Sequence, residues 1–163
     1  YSDSRINISG GSTGYGLVAR GNSKITVTAG LINGMFNAGY SNQVTISGGT
    51  VSGLQTNGNS SISWLGGAIN QMQIEGYAAM SIYGSNFAVN GTPVDSDEIT
   101  GLSFLGVDGF KTLTGTFANV NTINTMFRVA EQGIVYFVPI PEPTSLLALC
   151  SGLALLGLFH KRR

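Results

Sequence analysis

The chain has 163 residues, and eight Lys and Arg balance eight Asp and Glu for a formal net charge of zero. Charged residues make up only 10%, against roughly 25% in ordinary soluble domains, and the 24 glycines are about twice the usual share. No basic stripe exists to neutralise a row of phosphates, which sets nucleic acid aside as a partner. The single His and the single Cys, both near the C-terminus, leave no His-based acid–base, nucleophilic or zinc constellation.

Residues 1–92 carry an internal repeat. Ile6-Asn-Ile8, Ile25-Thr-Val27, Val44-Thr-Ile46, Ile62-Ser-Trp64 and Met80-Ser-Ile82 are five copies of one apolar–polar–apolar unit. Their spacing is nearly constant, the first two intervals being one residue longer than the last two. Four residues past each start falls Gly10, Gly48, Gly66 or Gly84, with Ala29 and then Gly30 in the second copy. A second apolar position recurs at Ile32, Val51, Ile69 and Phe87, where the first copy has Thr13, and a third recurs at Met35, Leu54 and Met72. Asn22, Asn42, Asn57 and Asn59 close the coils.

Alternation of period two buries one face of a strand and wets the other. A strand of three or four residues cannot bury its apolar face alone, but the same strand stacked from successive turns can. The glycines then mark corners. The spacing predicts an all-β fold, a right-handed parallel β-helix (solenoid) of about five coils, the hand following from the preference of parallel crossovers. A meander of antiparallel hairpins turning at Gly48-Gly49 and Gly66-Gly67 competes with it. Constant period and same-position ladders favour the solenoid, because a meander needs neither.

Beyond Phe87 the period is lost. Pro93 cannot donate to a central ladder, and Asp95, Asp97 and Glu98 form the densest acidic patch. Residues 93–137 are expected to form a C-terminal β cap over the last coil, with apolar segments at Leu102 to Val107, Leu113 to Phe117 and Gly133 to Val138. In Phe117, Val120, Ile123, Met126 and Val129 apolar residues recur every third position, a spacing that fits neither strand nor helix.

The repeats offer little to catalysis. Carboxylates converging on adjacent coils would sit one period apart, yet from Ile6 to Thr92 Glu75 is the only acid, with counterparts at Asn57, Ala38 and Ala19. Glu75 reads as a solvated surface charge, and the Asp95–Glu98 cluster as a solubilising turn rather than a calcium loop. No catalytic, cofactor or metal residue is assigned. Tyr15, Tyr40, Tyr77 and Tyr83 could stack on sugar rings or pack at corners.

The C-terminal stretch, 138–163, is different in kind. Val138-Pro139-Ile140-Pro141-Glu142-Pro143 is extended by its prolines and stays outside any helix. Thr144 to Phe159 is an uncharged, Leu-rich run that would make a helix about 24 Å long, slightly short of a hydrocarbon core of roughly 30 Å. His160 is followed by Lys161, Arg162 and Arg163, a basic cluster at one end that by the positive-inside tendency stays cytoplasmic. A single transmembrane helix, 144–159, is expected.

That order of Pro-Glu-Pro motif, apolar run and basic end resembles the PEP-CTERM sorting signal of Gram-negative bacteria. The resemblance implies processing by an exosortase, a membrane-embedded cysteine transpeptidase-like enzyme. Val138, Pro139, Pro141, Glu142 and Pro143 would form the processing motif, and Lys161, Arg162 and Arg163 would set topology. It further implies an inner-membrane precursor that becomes a cell-envelope surface or extracellular-matrix protein, with extracellular polysaccharide as the implied partner. An exported chain needs a signal peptide, and none precedes Tyr1, so the sequence is expected to be the C-terminal part of a longer protein. The expected function is structural and non-enzymatic, in a biofilm or exopolysaccharide matrix. The rival is the end of a carbohydrate-active β-helix lyase or hydrolase whose active coils lie upstream.

Overall fold

The computed structural model describes residues 3–94 and 109–140, all strand, turn and bend with no helix among them. Seven strands build the repeats: β1 (Arg5–Thr13), β2 (Leu17–Ala19), β3 (Lys24–Ala38), β4 (Gln43–Thr56), β5 (Ser61–Ile69), β6 (Gln71–Ile74) and β7 (Ala79–Val89). They wind into a β-solenoid of about four turns. Each turn has three sides, and the first stacks in parallel from β1 through β7, the second from β1 through β5 and the third from β2 through β6.

On the first side two apolar ladders run in register. One is Ile6, Ile25, Val44, Ile62 and Met80; the other is Ile8, Val27, Ile46, Trp64 and Ile82. The intervening polar residues point outward, so Thr26, Thr45, Ser63 and Ser81 form an outer rank. The second side aligns Thr13, Ile32, Val51 and Ile69. The third aligns Leu17, Phe36, Leu54 and Met72, and beside them Ala19, Ala38, Thr56 and Ile74. From the second coil onward these inward apolar side chains are buried. Successive rungs lie about 4.8 Å apart, which brings like side chains into van der Waals contact and pairs every ladder amide above and below.

The third ladder differs from the sequence expectation by one place. Phe36, not Met35, is the buried member; Met35 sits beside Gly53 on the outer row. A register shift between Ile32 and Met35, with Gly34 at φ 103°, takes up the extra residue of this longer coil. The glycine corners also split into two jobs. Gly11, Gly30, Gly49 and Gly67 hold φ between 74° and 93°, which L side chains rarely adopt. The residue before each of the last two, Gly48 and Gly66, lies flush against the coil above, where a Cβ on Gly66 would lie 2.8 Å from the Ser47 carbonyl oxygen.

A second left-handed row closes each coil at Gly21, Tyr40, Gly58, Gly76 and Glu131. Asn42 lies just behind it, fully buried. Its amide nitrogen donates to the carbonyls of Ala19 (2.8 Å) and Gly39 (2.6 Å), and its Oδ1 accepts from the Ser23 amide (2.9 Å). Ser60, one coil on, donates to Asn57 and Ala38 carbonyls in the same way. Asn42→Ala strands the Ser23 N–H and the Gly39 carbonyl and leaves the Ala19 carbonyl only its bond from the Gly39 amide, so urea melts are expected to show a loss of about 1–3 kcal/mol.

The remaining strands are β8 (Thr92–Pro93), β9 (Lys111–Thr116), β10 (Thr122–Val129) and β11 (Ile134–Pro139). β8 and β9 pair antiparallel with the second half of β7, and β9 forms an antiparallel pair with β10. Here Phe117 meets Trp64 edge-on, with ring centroids 5.0 Å apart at 70°. Part of the stretch expected as a cap then continues the stack. The end of β10 pairs in parallel with β6, and β11 pairs in parallel with β7, placing Val135 under Met80 and Phe137 under Ile82. Val135-Tyr-Phe137 is thus a further rung of the first side.

The every-third-residue pattern also resolves. β10 is an ordinary alternating strand with Ile123, Thr125, Phe127 and Val129 inward, while Met126 and Val120 are exposed and belong to no buried apolar row. The apolar segment expected at Leu102 to Val107, the acidic cluster and the helix expected over 144–159 lie outside the described residues. Among the described residues no helix is long and apolar enough to cross a membrane.

Candidate functional site

The outer surface of the third side carries the most organised polar chemistry. Strand alternation that buries Phe36, Leu54, Met72 and Phe127 turns their neighbours outward, so Val18, Asn37, Gln55, Gln73 and Arg128 stand in one rank. Next to it, in the turn after β6, is Glu75.

These side chains hold one another. Arg128 Nη2 donates to Glu75 Oε1 at 2.7 Å and to Gln73 Oε1 at 3.4 Å, and Gln55 Nε2 donates to Glu75 Oε2 at 3.1 Å. The guanidinium also sits 5.9 Å from the Phe110 ring centroid. Nearby, Glu131 Oε2 accepts from the Gly76 amide at 2.9 Å. Glu75 is therefore not the solvated charge read from sequence. Its side chain is 21% exposed and locked by a partner 53 residues away. The contacts pin the returning strand β10 to β6.

The counterparts of Glu75 shift too. Backbone pairing aligns it with Asn57, Gly39 and then Arg20, one place beyond the sequence assignment of Ala38 and Ala19, because of the extra residue in the second coil. At the upstream end of this side the surface opens into a depression of about 440 Å³ lined by Val18, Arg20, Asn37, Tyr40 and Asn57 among others. Tyr15, Tyr40 and Tyr77 are exposed, at 90%, 55% and 66%.

The residues assigned to sorting divide between two places. Val138 and Pro139 end β11, facing Tyr83 and Gly84, and the Ile140 amide donates to the Gly84 carbonyl at 2.9 Å. Pro141, Glu142, Pro143, Lys161, Arg162 and Arg163 lie outside the described residues. Among the described residues no group of three or more His, Cys, Asp or Glu could hold a metal ion.

Sequence reasoning missed the Arg128 network because its partners are far apart in the chain. A signal did exist: Phe127-x-Val129 repeats the pattern of Met72-x-Ile74, and Val135-x-Phe137 is a sixth copy of the apolar–x–apolar unit. No protein-family model, curated protein or solved structure matches this chain.

Proposed function

We propose that this chain is a structural, non-enzymatic solenoid of the bacterial cell surface or extracellular matrix, delivered there by exosortase processing of its C-terminal tail. In this reading the coils wind right-handed. Residues 144–159 cross the inner membrane, and Lys161, Arg162 and Arg163 hold the tip in the cytoplasm. A matrix of extracellular polysaccharide is its working environment.

One observation supports the reading above others. The motif that resembles a sorting signal begins inside the last rung: Val138 and Pro139 are ladder residues of β11, and Ile140 is still bonded to Gly84. A cut at Pro141-Glu142-Pro143 would therefore free an intact stack and spare every rung. The third side adds to this, since its one carboxylate in the repeats is tied to Arg128 and Gln55.

The tail itself is the test. Glu142→Ala, or removal of Lys161, Arg162 and Arg163, is expected to leave an unprocessed precursor in the inner membrane, visible as a larger band in membrane fractions. Normal processing of both variants in a host that carries an exosortase would overturn the proposal.

A further inference from the structure

The first two coils hold an arrangement that folding alone does not explain. Arg5 and Lys24 are direct partners across the β1–β3 pairing, so two cations stand one above the other about 4.8 Å apart at the backbone. Like charges directly opposite in neighbouring strands oppose each other. Among the described residues neither has an ion-pair partner within 4.0 Å. Around the corner Arg20 is also exposed and unpaired.

An open surface depression of about 420 Å³ lies against this pair. Arg5 and Lys24 line it with Asn22, Ser41 and Gln43, whose side chains make no hydrogen bond within the described protein. Asp3 is the one acid on its rim. Two cations and a set of free amides and a hydroxyl suit an anion that also carries hydroxyl groups.

We propose that Arg5 and Lys24 form a binding site for the carboxylate groups of an acidic polysaccharide. A chain of uronic-acid residues lying along the solenoid axis places successive carboxylates against cations one rung apart, and Asn22, Ser41 and Gln43 take its hydroxyls. Each carboxylate relieves the repulsion between Arg5 and Lys24. Duplex nucleic acid, with one charge per roughly 1.7 Å, needs a longer run of cations than two. The site rests on the matrix reading for its polymer, but its geometry is independent of the tail.

The test uses the full chain in mild detergent, with polygalacturonate as probe and dextran as the neutral control, by isothermal titration at low and high salt. Polygalacturonate is expected to bind, more weakly as salt rises, and dextran is not. The Arg5→Gln, Lys24→Gln double variant should lose about tenfold in affinity, while Lys111→Gln, on the distant β9, should not change it. Both altered side chains are exposed, so the double variant should melt no lower than the parent without ligand, and should gain less from added polygalacturonate. Equal binding of dextran, equal loss with Lys111→Gln, tighter binding of duplex DNA, or no binding of polygalacturonate would each overturn the site. None of these outcomes touches the processing of the tail, so the two proposals fail separately.

Discussion

Ile46→Asp is expected to abolish the cooperative unfolding transition. Ile46 is fully buried, with Val27 above it and Trp64 below. A carboxylate there meets only hydrocarbon, and an unpaired buried charge costs more than the whole margin of a small domain. Ile46→Ala removes the same contacts without the charge and should lower stability by about 2–5 kcal/mol. Thr45, one residue earlier, points outward between Thr26 and Ser63, and Thr45→Lys should stay within about 0.5 kcal/mol of the parent. Urea melts of the three variants decide it: similar losses for Thr45→Lys and Ile46→Asp would mean that the inward and outward faces are exchanged.

A second large effect is expected at the corners. Gly49 has φ 76°, and a Cβ there would lie 2.7 Å from the Gly30 carbonyl oxygen and 2.9 Å from the Ala29 carbonyl carbon. A β-branched residue in that conformation costs about 1–3 kcal/mol before any collision. The collision is with backbone, which cannot move without opening the ladder. Gly49→Val should therefore cost more than about 3 kcal/mol. Gly11 has nearly the same φ, 74°, with nothing within 4 Å of its would-be Cβ, and Gly11→Ala should cost only about 1–2 kcal/mol. If thermal melts showed equal losses at the two sites, stacking would not be what makes these corners glycine.

The repeats were legible because one physical demand recurs once in every coil. Each short strand must bury two apolar side chains against its neighbours, so Ile25-Thr-Val27 and Val44-Thr-Ile46 announce their register directly. The third side was less legible. A single extra residue near Gly34 moves Phe36 into the ladder in place of Met35, and spacing alone does not say where a coil absorbs such a residue. The Arg128–Glu75 pair was hidden for another reason: it exists only because β10 returns to β6, and nothing local to either residue points to the other. Asn42 was legible as a coil-closing residue, yet its triple hydrogen bonding depends on the Ala19 carbonyl 23 residues earlier.

The return of β10 and β11 also bears on how the chain tolerates growth. Arg128 pairs with Gln73 at a separation of 55 in the chain, whereas Ser23 and Asn42, one ordinary coil apart, are separated by 19. Ile134 reaches Ala79 across a detour of the same length. Loop-closure entropy rises only with the logarithm of length, so this longer path costs about 1 kcal/mol more than a regular turn of the stack. A detour that cheap can lengthen or shorten without disturbing the rungs on either side. Between β7 and β10 new sequence is thus accepted at small thermodynamic cost where it leaves β8 and β9 paired to β7, provided that Phe117 still reaches Trp64 and Arg128 still reaches Glu75.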